Sequence, residues 1–238
     1  MTARIAAAGL APANLLLAGL RAGDRRRLMA QCEPVELDFE EVLYEAGERI
    51  RHVYFPTASF VSLITVVDKG SNLEVGLVGT EGMLGSSLLL GVEVASLRGL
   101  VQGAGPALRM DAPAFLRELK RSPAIRKRLN LYLFVLMTQI THMAACARYH
   151  LVEARLARWL LMTRDRAHSN EFRLTQEFLA YMLGVRRAGI TRAASNLQKR
   201  RMIRYSRGSM RILDGRGLEG VSCECYANAA QLYARVMV

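Results

Sequence analysis

The sequence predicts an α+β chain in three parts: a roll of short strands, one long helix, and a C-terminal pair of short helices followed by a hairpin. Three observations predict it. Between Val35 and Met110, short alternating apolar runs are cut repeatedly by turn residues. From Pro123 to about Arg148 a helical period runs without a breaker. From Phe172 to Leu213, two brief apolar faces separated by Gly184 precede a strand-turn-strand pattern in a stretch dense in arginine. With 238 residues, 51% hydrophobic content and 6 Pro, one or two packed domains are expected. The charge balance shifts near Arg148 to Leu151, which divides the chain into 1–147 and 148–238.

Residues Met1 to Leu20 are rich in Ala and Leu, but Pro12 and Asn14 split the apolar run and Arg25, Arg26 and Arg27 follow it, so they read as a folded helix rather than a secretory leader. No uncharged apolar run approaches the roughly 20 residues of a bilayer span, the best being Leu131 to Met137, and no membrane segment is expected. Val35, Leu37 and Phe39 then alternate with acids, and Val42 to Tyr44, Val53 to Phe55, Phe60 to Val67 and Leu73 to Val78 follow as strands. Gly47, Pro56, Asp68 to Ser71 and Gly79 supply the breaks. So many brief strands suggest a small antiparallel barrel or roll, which either encloses a pocket or is filled by its own side chains.

After Asp111, with Pro113 in the first turn, and again after Ser122, with Pro123 just inside, helices begin. The second carries Ile125, Leu129, Tyr132, Leu136, Ile140, Met143 and Ala147 at near-heptad spacing. That stripe reads either as a homodimer seam, over about 123–147, or as one buried face on the roll. Leu131, Leu133, Phe134 and Val135 make the helix apolar nearly all round, which a face on the roll and another on a partner would explain. A further helix over Val152 to Arg166 carries Leu156, Trp159 and Leu160 on one side and Arg155, Arg158, Arg164 and Arg166 on the other.

The four cysteines, Cys32, Cys146, Cys223 and Cys225, are too few and scattered for a disulfide framework, which points to a reducing cytoplasm. Cys223 and Cys225 form a C-x-C pair. There is no second close pair, and His52, His142, His150 and His168 offer no familiar zinc spacing, so free thiols and no metal are expected. There is also no H-E-x-x-H, G-x-S-x-G or phosphate-loop pattern. Gly76, Gly79, Gly82 and Gly85 are spaced by threes with no suitable lysine after them. No enzyme is expected.

Charge placement carries more. The net charge is +12, and residues 148–211 hold 15 basic against 4 acidic side chains, leaving the rest nearly neutral. Between Arg186 and Arg211 lie nine basic residues and no Asp or Glu. Such a face attracts a polyanion, with nucleic acid the foremost candidate and a merely solvated basic surface the alternative. Thr175 is placed to cap a helix whose inner face is Phe178, Leu179, Met182 and Leu183, ending at Gly184. The next helix would bury Ile190, Ala193, Ala194 and Leu197 and turn Arg186, Arg187, Thr191, Arg192 and Ser195 outward, where a major groove could receive them. Ile203 to Leu213 reads as two strands with Arg207 at the tip.

The run T-Q-E-x-L-A-x-x-L-G-V-x-R-x-x-(I/V)-T-R-A, Thr175 through Ala193, resembles the winged helix-turn-helix of the Crp/Fnr family of cyclic-AMP receptor-like regulators, and the likeness extends over nearly the whole chain. It implies a cyclic-nucleotide-binding-like roll, a long dimerisation helix and a C-terminal winged helix-turn-helix. It implies a transcription regulator that binds double-stranded DNA as a homodimer, with RNA polymerase and an unknown small-molecule effector as further partners. Thr175, Gln176, Arg186, Arg187, Thr191, Arg192 and Arg207 would meet DNA. Among them Arg187 and Arg192 would contact guanines or nearby phosphates, Arg186 stands where the family often has a phosphate-binding Ser, and Arg207 lies on the wing. Ala188 replaces the family's base-reading Glu, so that contact does not carry over.

In the roll, the family's G-E-x-x and later Arg-Ser or Arg-Thr cassette becomes Gly85, Ser86 and Ser87, then Ser96, Leu97 and Arg98. The candidate pocket residues Gly85, Ser86, Ser87, Ser96 and Arg98 lack the family's carboxylate and, with its Arg-Ser pair replaced, its arginine at the position that holds the cyclic phosphate, so cyclic AMP should have no effect. No N-terminal cysteine cluster exists for an iron-sulfur sensor, and no cofactor is expected. Two other readings stay open: a small-ligand or protein-binding module whose basic segment docks an acidic partner, and a ligand-independent DNA-binding regulator with a vestigial roll.

Overall fold

The computed structural model describes residues 14–68 and 71–237. Most of the N-terminal helix expected from the sequence lies outside the described residues. Within them, α1 (Leu15–Ala18) is capped by the buried Asn14, whose amide nitrogen donates to the Pro56 and Gly82 carbonyls at 2.9 Å each and so ties the segment to the roll. α2 (Ala22–Met29) follows.

The roll is two antiparallel sheets. β1 (Glu33–Leu37), β7 (Gly105–Asp111) and β3 (His52–Pro56) form one, in the order β1-β7-β3. β2 (Val42–Tyr44), β6 (Arg98–Gly103), β4 (Phe60–Asp68) and β5 (Ser71–Val78) form the other, in the order β2-β6-β4-β5. β6 and β7 were not legible as separate strands, because Gly99, Gly103, Gly105 and Pro106 interrupt their alternation. Phe39 is not in β1: it sits in the turn beyond Leu37 and is exposed.

α3 (Ala112–Arg121) and α4 (Pro123–Tyr149) follow the roll. Ser122 caps α4, its hydroxyl accepting from Ile125 N at 3.3 Å, and Pro123 occupies the first turn, where a missing N–H costs nothing. Ile125, Leu129, Tyr132, Val135 and Leu136 are buried in the roll's core. Most of the near-heptad stripe is therefore internal to this chain, which corrects its reading as the seam. The exposed large apolar side chains in the middle of α4 are Leu131, Phe134 and Met137, on a different face, and Tyr149 is exposed at its end. α4 is also long and apolar enough to cross a membrane by length and composition, a property the sequence reading missed because polar Thr and Gln residues break its runs.

α5 (Val152–Ala167), β8 (Glu171–Arg173), α6 (Gln176–Leu183), α7 (Arg187–Lys199), β9 (Ile203–Ser206), β10 (Ser209–Ile212) and α8 (Gly215–Val221) build a second core around Leu156, Trp159, Leu160, Leu183, Ile190, Leu197 and Met210. Arg155 and Arg158 belong to this interior and are 7% and 4% exposed, against the expectation of a solvent face. α5 packs against α6, α7, α8 and α9 (Cys225–Met237), and Arg155 also donates to the Ala147 carbonyl of α4 at 3.4 Å. α9 returns to pack along α4, with Leu232 and Met237 in the roll's core. That return brings Cys223 and Cys225 to Cys146 and His150, so the thiols are not scattered as the sequence suggested.

Candidate nucleic-acid interface

α6 begins where Thr175 turns extended and its hydroxyl accepts from Phe178 N at 3.0 Å. It ends at Gly184, whose φ of 61° is left-handed; a Cβ there would also approach Leu73 Cδ1 to 3.0 Å. This turn sends the chain directly into α7. Ile190, Ala193, Ala194 and Leu197 are buried there, and the small alanines allow close approach to α5 and α6. Arg186, Arg187, Thr191 and Arg192 are exposed, while Ser195 is half-buried.

No carboxylate among the described residues neutralises this face. Arg186, Arg187, Arg192 and Arg207 make no ion pair there, whereas neighbouring Arg200 and Arg211 pair with Glu153 and Glu171 at 3.3 and 3.1 Å. The first turn of α7 has no acidic residue and no side-chain cap. Its free amide groups and the helix dipole add to the positive field of the arginines. Gln176 and Thr191 brace the two helices, with Thr191 Oγ1 2.7 Å from Gln176 Oε1.

The hairpin turns through Arg207 and Gly208 at φ 49° and 78°, the two consecutive left-handed residues of a tight two-residue turn. Leu174 N donates to the Gly208 carbonyl at 2.8 Å, and the Tyr205 hydroxyl donates to the Leu174 carbonyl at 2.8 Å. The hairpin tip is thereby tied to the start of α6. Arg173, Thr175 and Arg207 line one open cleft with Phe39 and Glu40 of the roll. Arg173 was missed by sequence reasoning, since it precedes the motif and its place is fixed only by β8 pairing with β10.

In the roll, Gly85, Ser86, Ser87 and Ser96 line a cavity of about 210 Å³ closed by Leu133, Leu136, Met137 and Ile140 of α4. Arg98 is not among them. Its guanidinium holds the Glu45 carboxylate through two nitrogens, at 2.9 and 2.6 Å, and pulls that carboxyl below its usual range. The cavity wall is apolar apart from the serines and the Tyr44 hydroxyl, which donates to the His52 carbonyl at 2.6 Å.

Residues 154–221 match the family model of the Crp-like helix-turn-helix domain. This segment is a Crp-like helix-turn-helix domain. The chain as a whole has the Crp/Fnr fold. Similar structures include a Crp/Fnr-family protein from Eubacterium rectale (16% identity, TM-score 0.70, 87% of this chain and 96% of that chain). Another is the c-di-GMP responsive global regulator CLP of Xanthomonas campestris (16%, 0.67, 81% and 99%). A third is a CRP/FNR-family transcriptional regulator of Thermus thermophilus (20%, 0.66, 80% and 98%). No curated protein sequence matches the chain. In the Crp-like domain, α6 and α7 are the two crossing helices and β9–β10 is the wing.

Proposed function

We propose that this chain is a cytoplasmic, homodimeric transcription regulator that binds a specific DNA sequence through α7. In this reading residues 148–238 contact DNA and the roll in residues 1–147 senses an effector. Arg187 and Arg192 meet base edges in the major groove, where an arginine fork fits guanine O6 and N7. Thr175, Gln176, Arg186, Thr191 and Arg207 position the domain on the phosphate backbone, which orients without specifying sequence. The observation that carries the reading is the exposed face of α7, whose arginines have no carboxylate partner among the described residues.

A protomer brings one recognition helix. The uncovered Leu131, Phe134 and Met137 on α4 supply the surface for a second copy, which would set two half-sites about 34 Å apart. The effector that fits the roll cavity is small and largely apolar. A cyclic phosphate would meet only hydroxyls there, from the serines and Tyr44, and no cation, because Arg98 is held by Glu45.

Selection from random duplexes tests the proposal: the purified chain should return a palindrome, and affinity should fall steeply with salt. Arg187→Ala and Arg192→Ala should each weaken the selected site by about 1–3 kcal/mol and blur base preference. Unchanged footprints in both variants, or binding indifferent to salt, contradict it.

A further inference from the structure

The last turn of α4 and the bend between α8 and α9 bring four soft donor groups together. Cys146 lies in the last turn of α4, and His150 caps that helix just beyond Tyr149, its backbone N–H donating to the Cys146 carbonyl at 3.1 Å. Cys223 and Cys225 flank Glu224 where α8 gives way to α9. Cys146 Sγ lies 3.5 Å from Cys223 Sγ, and Cys225 Sγ lies 3.7 Å from His150 Nδ1. All four donor atoms lie within 4.8 Å of one another.

We propose that Cys146, His150, Cys223 and Cys225 bind a single zinc ion in a closed Cys3His site. A tetrahedral ion with Zn–S bonds of about 2.3 Å separates its ligand atoms by about 3.8 Å, so no pair of donors needs to close by more than about 1 Å. Thiolate and imidazole donors with no oxygen ligand favour zinc over calcium or magnesium. An iron-sulfur cluster places several atoms between its thiolates and needs them farther apart than this. The sulfurs of Cys146 and Cys223 are also well beyond the roughly 2.05 Å of a disulfide bond.

The surrounding charge gives an independent reason. Arg158 is buried, makes no ion pair among the described residues, and leaves its Nε without a hydrogen-bond partner. It lines one cavity together with Cys225. A buried cation without a counter-ion is costly. Three thiolates, a neutral imidazole and a divalent ion sum to one negative charge, which Arg158 balances.

The ion would join α4, which packs on the roll, to the segment connecting the Crp-like domain with α9. It would act as a structural clamp, and the inference stands whether or not α7 reads DNA.

The test is metal content of the full chain purified without chelator, by elemental mass spectrometry, and again after reduction and incubation with zinc chloride. One zinc per chain is expected, released in one equivalent by an organomercurial. Cobalt substitution should give the thiolate charge-transfer bands and intense ligand-field absorption of a tetrahedral site. His150→Ala and Cys225→Ser alter the two less buried donors and should lower zinc content several-fold with helix content retained, while Cys32→Ser should leave it unchanged. Several results overturn the proposal: no zinc in either preparation, iron with sulfide instead of zinc, a Cys146–Cys223 disulfide in the chain as first purified, or full zinc content in both ligand variants.

Discussion

Glu74 is fully enclosed between the roll and the Crp-like domain, and burial raises its carboxyl from 4.5 to about 7 against the opposing pull of the Ser62 hydroxyl, Arg158 and Arg166. Ser62 Oγ lies 2.7 Å from Glu74 Oε2 and 2.5 Å from Gln102 Oε1, and Gln102 Nε2 is used on Thr163 Oγ1 at 3.4 Å. A hydroxyl donates one proton, so one of its two contacts must run toward it, which a protonated Glu74 supplies. The folded chain thus holds a proton that the unfolded chain releases near pH 4.5. Between pH 4.5 and 7 the native state binds more protons than the unfolded state, and stability falls as pH rises through that window. Glu74→Gln should remove this slope. Denaturant titrations should show the variant more stable than the parent at pH 8, by on the order of 3 kcal/mol, and equal to it below pH 4.5. Equal pH profiles would mean Glu74 is ionised when buried.

Among the elements, α4 has two jobs on two faces. Ile125, Leu129, Tyr132 and Leu136 close the roll's core, and Phe134 and Met137, 54% and 57% exposed, form the face proposed for a second copy. Phe134→Glu with Met137→Glu should therefore give a monomer in sedimentation equilibrium with helix content retained, whereas Leu129→Glu should disrupt the roll itself. A dimer of unchanged mass in the double variant would place the seam elsewhere. The sequence showed that α4 exists, where it starts and that it is apolar nearly all round. It could not show which stripe faces inward, because both stripes share the same period and only the roll's position distinguishes them. α6 and α7 were legible in detail, since Thr175, Gly184 and the buried Ile190, Ala193, Ala194 and Leu197 are local signals. The Cys146 and His150 pairing with Cys223 and Cys225 was not, because it spans 77 residues from Cys146 to Cys223 and depends on α9 doubling back. A cysteine followed four residues later by a histidine, at the end of a long helix, was the available clue.

At the scale of the whole molecule, the two cores interlock. Ile64 belongs to β4 of the roll, yet its buried side chain is part of the cluster built by Leu156, Trp159, Leu183 and Ile190 in the Crp-like domain. α6 packs against β5, and Arg166 of α5 holds Glu81 beyond β5 while also donating to the Leu77 carbonyl at 3.3 Å. That pair is mostly shielded from solvent, at 14% and 21% side-chain exposure, so it is weakened less by salt than a surface pair. Neither half can lose its structure without uncovering apolar surface of the other, so the chain should unfold in one cooperative step rather than two. The single Trp159 reports the second core alone, whereas far-ultraviolet circular dichroism reports both halves. The two signals should coincide along a denaturant titration. Ile64→Ala, made in the roll, should lower stability by about 2–5 kcal/mol and move the Trp159 transition together with the dichroism. A Trp159 midpoint that stays in place while the dichroism splits would show that the roll and the Crp-like domain unfold independently.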